Sequence, residues 1–145
     1  MGVRQPLSSG REALEIFQRG DVMVDPLMRC KGDHRPYLGM VLGDPRGSQL
    51  SEMPGSGGPQ AVTVEVACLY LLEAIHRRDF NFASSALLTD LREPPVDRRA
   101  GNSAHLVQRA WEAAGRWYEQ AARAGFERTR QEGDSPVSDG AVAFW

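Results

Sequence analysis

The sequence predicts a mainly α fold: a small helical bundle with short strand-like segments and long extended arms, in a single domain over residues 1–145. Apolar residues between 103 and 124 recur at helical spacing on two neighbouring stripes. The earlier segment 9–19 is bounded by residues that start and stop helices, and segment 60–78 is long and largely apolar. The 15 Gly and 9 Pro lie mostly in the first hundred positions, where they favour irregular chain.

The first predicted helix covers residues 9–19. Ser9 is a candidate N-cap, and Glu12 stands three residues later, as in a capping box. Gly20 is placed to end the helix.

The second predicted helix covers residues 60–78. Its apolar residues occupy more than half of the circumference, which predicts a largely buried element. The alternation Val-Thr-Val-Glu-Val at its start also permits a strand, but the length of the segment favours a helix.

The third predicted helix, 103–124, has the strongest periodicity. Asn102 or Ser103 can cap its start, and Gly125 predicts a bend or an end. Small Ala positions that alternate with Trp allow a partner helix to approach closely. We therefore expect this helix to pack against 60–78.

The remaining segments are shorter or irregular. The sequences DVMV (21–24) and YLGMVLG (37–43) are strand candidates, and FNF (80–82) alternates like a brief strand. Residues 80–92 as a whole are compatible with either a helix or a strand. The Gly/Pro/Ser-rich segment 43–60 predicts a flexible loop, and 132–145 predicts an extended C-terminal tail.

Composition narrows the class of protein. A net charge of −2 and a pI near 5.9 argue against a general nucleic-acid coat or a polybasic membrane binder. The longest apolar run, ACLYLL, is too short to cross a bilayer, so no membrane partner is expected. The N-terminus has no apolar stretch of the kind found in signal peptides, and a cytoplasmic protein is expected.

The two cysteines give little sign of chemistry. Cys30 and Cys68 are far apart and form no CxxC pair. We expect both to be reduced, with Cys68 as a small buried hydrophobe, although a disulfide between them stays open.

The cluster CKGDH is the most chemically suggestive patch. Cys30, Asp33 and His34 could provide a nucleophile with its base, or part of a metal site to which Asp21, Asp25 or Glu52 would have to contribute. Because no further partner is specified, a polar turn is the favoured interpretation. We predict no catalytic residue, no cofactor and no metal. Trp111, Trp117 and Tyr118 are expected in the core.

The C-terminal sequence AVAFW predicts an interface. After a hydrophilic connector, Val142, Phe144 and Trp145 turn apolar, and such aromatics anchor protein–protein contacts. Docking on another subunit is favoured over folding back onto the same chain. Arginine pairs at Arg77–Arg78 and Arg98–Arg99 could touch an acidic neighbour or nucleic acid, or lie solvated at helix ends.

With this layout, the chain resembles the head–tail connector (adaptor) proteins of tailed bacteriophages. The resemblance lies in VEVACLYLLEAIHRRDFNFASSALLTDLRE, followed by AHLVQRAWEAAGRWYEQAARAG. It implies a non-enzymatic virion protein that forms a homo-oligomeric ring beneath the portal and contacts portal and neck or tail proteins. DNA would pass through the ring without sequence-specific contact, and the tail would grip a neighbour.

An alternative of another class is a small intracellular inhibitor or immunity-type binding protein. Such a protein also needs no catalytic residues, and the Gly-rich loop would then contact its target. An enzyme built on Cys30, Asp33 and His34 is a third possibility.

Overall fold

The computed structural model describes residues 11–37, 62–83, 86–94, 96, 101–133, 135–137 and 142–144. The fold is mainly helical, as predicted. In chain order the elements are α1 (Arg11–Arg19), a 3₁₀ turn (Gly20–Met23), α2 (Val24–Met28), α3 (Val64–Arg77), β1 (Leu88–Asp90), α4 (Ala104–Ala124), α5 (Phe126–Gln131) and β2 (Val142–Phe144).

Helix α3 is the centre of the molecule. Every residue from Glu65 to His76 is buried, because α1, α2, α4 and α5 all pack against it. The helix begins after Thr63, whose hydroxyl accepts a hydrogen bond from the Val66 amide. It ends at Arg78, which has the left-handed φ of 58°. The strand alternative for this segment is therefore wrong.

The helix predicted at 103–124 is confirmed as α4, and the structure identifies its N-cap. Ser103 accepts a hydrogen bond from the Leu106 amide and is the N-cap. The buried Asn102 instead bonds the Leu88 amide and the Ala86 carbonyl, so it holds β1 beside the start of α4. At the other end, Gly125 has a φ of 97°, which separates α4 from α5.

The first helix is confirmed, but the strand predicted at 21–24 is wrong. Gly20, with a φ of 74°, ends α1, and the chain continues as the 3₁₀ turn and then as α2. The two buried residues of α2, Val24 and Leu27, stand three positions apart, as on one face of a helix. Ser9, most of the 37–43 candidate and the 43–60 loop lie outside the described residues.

The described residues of the ambiguous 80–92 segment form one short strand, β1, and turns. FNF is not a strand, because polar bonds fix a turn there: the Tyr70 hydroxyl donates to the Phe80 carbonyl, and Asp79 accepts from the Asn81 amide. Burial, with a smaller contribution from the nearby Asp79 carboxylate, raises the pKa of Tyr70 to about 12. The Tyr70 phenol therefore stays protonated as a donor.

The C-terminal segment packs on its own chain, which corrects the prediction that it docks on another subunit. Strand β2 pairs antiparallel with β1, with Val142 opposite Asp90 and Phe144 opposite Leu88. Val142 is 0% exposed. The Phe144 ring lies 5.3 Å from Tyr70, measured between ring centroids. Val142 and Phe144 pack within the protomer because α3 and β1 present apolar surface to them. Trp145 lies outside the described residues.

A second contact holds the same segment. The amide of buried Val137 donates to the carboxylate of Glu73, at 2.9 Å, in the middle of α3. Residues 132–145 are therefore fixed at 135–137 and again at 142–144, and the expected extended tail is anchored at both of these places.

Of the four arginines predicted at an interface, the two that the structure describes, Arg77 and Arg78, form ion pairs within the protomer. Arg77 pairs with Glu73 and its guanidinium lies 5.2 Å from the centroid of the Phe82 ring. Arg78 pairs with Glu127 of α5 at 2.8 Å. Arg98 and Arg99 lie outside the described residues.

We predict that Val142→Ala lowers the free energy of unfolding by about 2 kcal/mol, because it leaves a cavity in a fully buried contact between β2 and the core. Val22→Ala is the matched control, since Val22 is 72% exposed and its truncation should change stability by less than about 0.5 kcal/mol. Urea unfolding measures both. Equal effects of the two substitutions would contradict the seating of β2 on its own chain.

Candidate functional site

A cleft of about 480 Å³ lies between three parts of the chain. Loop 31–34 forms one wall, the start of α3 forms the second, and the first two turns of α4 form the third. The volume is within the range of small-molecule sites in proteins, roughly 300–1,000 Å³. The CKGDH cluster singled out from the sequence contributes the rim of this cleft.

Glu65 fixes the loop wall. One of its carboxylate oxygens accepts from the Gly32 amide at 2.8 Å, and the other lies 3.0 Å from Nε2 of His34. Glu65 is only 8% exposed, and it stands in the first turn of α3, where the helix dipole favours a negative charge. The carboxylate is thus committed to holding the loop.

The loop also closes the N-terminus of α3. The amide of Val64 donates to the Arg35 carbonyl at 2.8 Å, and the amide of Glu65 donates to the Asp33 carbonyl at 3.0 Å. With the Val66 amide bonded to Thr63, the first amides of α3 have acceptors within the chain. This helix end therefore offers no free donors to the cleft.

A disulfide joins Cys30 to Cys68, which corrects the expectation of reduced thiols. The two Cα atoms are 6.3 Å apart, within the range that a disulfide spans. The bond connects the chain just after α2 to the first half of α3, beside the cleft. A separation of 38 residues, with no motif, gave no signal for this pairing.

The structure does not assemble Cys30, Asp33 and His34 into a catalytic or metal-binding group. The Cys30 sulfur is in the disulfide, His34 pairs with Glu65, and Asp33 pairs with Arg35 through two hydrogen bonds of 2.9 and 2.6 Å. The side-chain hydrogen bond from Arg35 holds the pKa of Asp33 below its ordinary value. Each residue instead stabilises the loop.

The acidic residues considered as further metal ligands are also engaged elsewhere. Asp21 pairs with Arg130 of α5 at 2.8 Å, and Asp25 accepts from the hydroxyl of Tyr118. Glu52 lies outside the described residues. Across the part of the chain that the structure describes, no three His, Cys, Asp or Glu side chains are grouped closely enough to hold a metal ion.

The α4 wall has a polar end and an apolar end. At the polar end, the Leu106 amide donates a hydrogen bond to the Ser103 hydroxyl. The amides of Ala104 and His105 have no acceptor among the described residues. At the other end, two turns along, Trp111 is 3% exposed, and its buried indole N–H has no hydrogen-bond partner among the described residues. Sequence reasoning assigned Trp111 only to the core and missed that it also lines a cleft.

Trp117 is in the core as expected. It is 4% exposed, stacks on Phe126 of α5 and meets the edge of the His76 ring. Tyr118 is only partly buried, and its hydrogen bond to Asp25 raises the pKa of its phenol.

A charged cluster lies at the same end of α4. The Arg92 guanidinium donates a hydrogen bond of 3.0 Å to each carboxylate oxygen of Asp90. Its Nη2 atom also lies 3.4 Å from Nε2 of His105. The side-chain hydrogen bond from Arg92 is the main reason that the pKa of Asp90 falls to about 2. Asp90 is therefore a paired anion at neutral pH.

No protein-family model matches the chain, and no curated protein and no solved structure is significantly similar to it. None of the helices in the described part of the chain is long and apolar enough to cross a bilayer. The cleft is large enough to hold a small molecule, and the reactive groups at its rim, Cys30, Asp33 and His34, are engaged in structural bonds.

We predict that replacing both cysteines, in Cys30→Ala/Cys68→Ala, lowers the free energy of unfolding by about 4 kcal/mol, because a cross-link over 38 residues removes that much chain entropy from the unfolded state. Urea unfolding with and without a thiol reductant measures it. Oxidised wild type should be more stable than reduced wild type by a similar amount, and the double variant should not respond to the reductant. A reductant effect of equal size in the variant would contradict a role for this bond.

Proposed function

We propose that the protein is a non-enzymatic structural protein that acts through protein–protein contacts, and most specifically a head–tail connector subunit of a tailed-bacteriophage virion. The observation that carries this proposal is the order α3, β1, α4, a short strand between two long helices, which is the layout the sequence resemblance rests on. The C-terminal strand pairs with β1 of the same chain, so a ring of such subunits would form through other surfaces.

The bonding of the reactive side chains supports a structural role. Cys30, Asp33 and His34 each stabilise the fold through a disulfide, an ion pair or a hydrogen bond. Arg130 likewise joins three elements, through Asp21, Glu127 and the carbonyl of His76. Such a network favours a rigid building block, because each polar group fixes the position of a neighbouring element.

In a ring, the contact between subunits would involve exposed apolar residues that lie outside β2. Val22 is 72% exposed and Val96 is 88% exposed, so both can be covered by a neighbouring copy. We propose that they contribute to the ring interface, with portal and neck or tail proteins as further partners. DNA would pass through the ring without sequence-specific contacts.

We propose the virion as the place of action, after assembly in a host cytoplasm. The Cys30–Cys68 disulfide is compatible with this, because disulfides persist in oxidising surroundings such as those of a released particle and are rare in the cytosol.

One observation favours a second candidate function, a small inhibitor or immunity-type binding protein. The internal packing of Val142 and Phe144 leaves a self-contained protomer, which suits a monomer that binds one target. The two functions differ in oligomeric state.

Native mass spectrometry across a range of protein concentrations tests the proposal. The connector function predicts a closed homo-oligomer, and Val22→Asp together with Val96→Asp should shift the population to monomers while circular dichroism still shows the native helix content. Gln131→Asp, an exposed change on α5, is the control that should leave the oligomer intact. A protein that stays monomeric at every concentration, alone and with portal protein, would contradict the connector function and favour the inhibitor.

A further inference from the structure

We propose that the cleft between loop 31–34, α3 and α4 binds a small organic cation, a primary amine that carries an apolar body. Its ammonium group pairs with the carboxylate of Glu65, and its apolar body lies against Val66 and Val107. The inference concerns a ligand site and does not depend on ring assembly. It rests on the charge balance of Glu65, on the exposure of its partner His34, and on the apolar lining beyond them.

Glu65 differs in its charge balance from Glu73, the other buried acid in the described part of the chain. Glu73 pairs with Arg77, whose guanidinium is always charged. Glu65 pairs with His34, which carries a charge only when it is protonated. When His34 is neutral, the Glu65 carboxylate has no cationic partner among the described residues. Because a buried carboxylate without a compensating charge is costly, this position favours a cationic ligand.

A ligand can take the place of His34 without opening the loop. The His34 side chain is 76% exposed, so it can turn into solvent at little cost. The other oxygen of Glu65 keeps its hydrogen bond from the Gly32 amide. The loop also stays bonded to the start of α3 through the carbonyls of Asp33 and Arg35. An ammonium group therefore needs only the position that the imidazole leaves.

The positive charge of Lys31 does not cancel this preference. Among the described residues that line the cleft, Lys31 is the charged one besides Glu65 and His34, and it makes no ion pair with any described residue. Lys31 is exposed, and its ammonium group lies on a flexible stem that solvent screens. The Glu65 carboxylate is instead held at a buried position. A ligand can therefore pair with Glu65 while Lys31 extends into solvent.

The rest of the lining is suited to an apolar body. Val66 follows Glu65 on α3, and Val107 and Trp111 line the cleft from α4, about one turn apart. Apolar walls bind an apolar group because its removal from water is favourable. The volume of about 480 Å³ accommodates an aromatic ring on a short alkyl chain. An amine of this kind matches both the acid and the apolar walls.

The test is a titration of the ¹⁵N-labelled full-length protein with 2-phenylethylamine, followed by NMR. At about pH 8, an imidazole in water is neutral and an alkylammonium group is charged. The neutral 2-phenylethanol, which has nearly the same shape, is the matched control ligand. We expect saturable shifts of the Gly32, Glu65 and Val107 amides with the amine, and binding at least about fivefold weaker with the alcohol. The amides of α5, none of which lines the cleft, should not move.

Two histidine variants test the exchange with His34. His34→Ala removes the group that competes for the carboxylate, so it should tighten binding of 2-phenylethylamine by about threefold or more. His105→Ala makes the same change outside the cleft lining and should leave affinity unchanged. Both positions are exposed, so circular dichroism should show native folding in both. In addition, Glu65→Gln should abolish the preference for the amine over the alcohol.

Three results would overturn the proposal. These are the absence of saturable shifts up to about 10 mM amine, where even a weak site is occupied, equal binding of amine and alcohol, and an affinity that His34→Ala lowers or leaves unchanged. If Glu65→Gln does not fold, the histidine pair still decides, because a purely structural role of His34 predicts no gain in affinity. None of these results bears on the oligomeric state, so the ligand site and the connector function can fail separately.

Discussion

The fold depends on the enclosure of one helix. Helix α3 is buried on all sides over twelve consecutive residues, from Glu65 to His76, so the other elements are arranged as a shell around it. The hydrophobic effect drives this arrangement, because the apolar side chains of α3 point in every direction and each needs cover. The polar residues within α3 therefore need partners from the shell, and these partners determine where the loop and the C-terminal segment lie.

Glu65 and Glu73 show how this requirement shapes the molecule. Both are buried carboxylates, and leaving either one without a partner would be costly. Glu65 recruits the Gly32 amide and His34, which sets one wall of the cleft. Glu73 recruits Arg77 and the Val137 amide, which brings the C-terminal segment towards β1. Each buried acid thus holds one segment against α3: Glu65 holds loop 31–34, and Glu73 holds the chain at Val137.

The three main helices were predictable because their signals are local. Ser103 and Gly125 lie next to the ends they define, and the periodicity of α4 is visible over 21 residues. The segment 21–24 was misassigned, since α2 has only five residues and its two buried positions are too few to reveal a period. The disulfide and the seating of Val142 and Phe144 depend on contacts between residues distant in sequence, and periodicity carries no information about them. For the site, the sequence drew attention to loop 31–34 but not to its pairing with α4.

Native-state hydrogen exchange of α3 tests the central claim most directly. If the shell around this helix holds the fold together, its central amides, from Leu69 to Leu72, exchange only by global unfolding, with an opening free energy equal to that measured by urea. The amides of α4, which has an exposed face, should exchange with an equal or smaller opening free energy. Exchange of the α3 centre at a lower free energy than α4 would contradict the account, because the helix would then open without the loss of its shell.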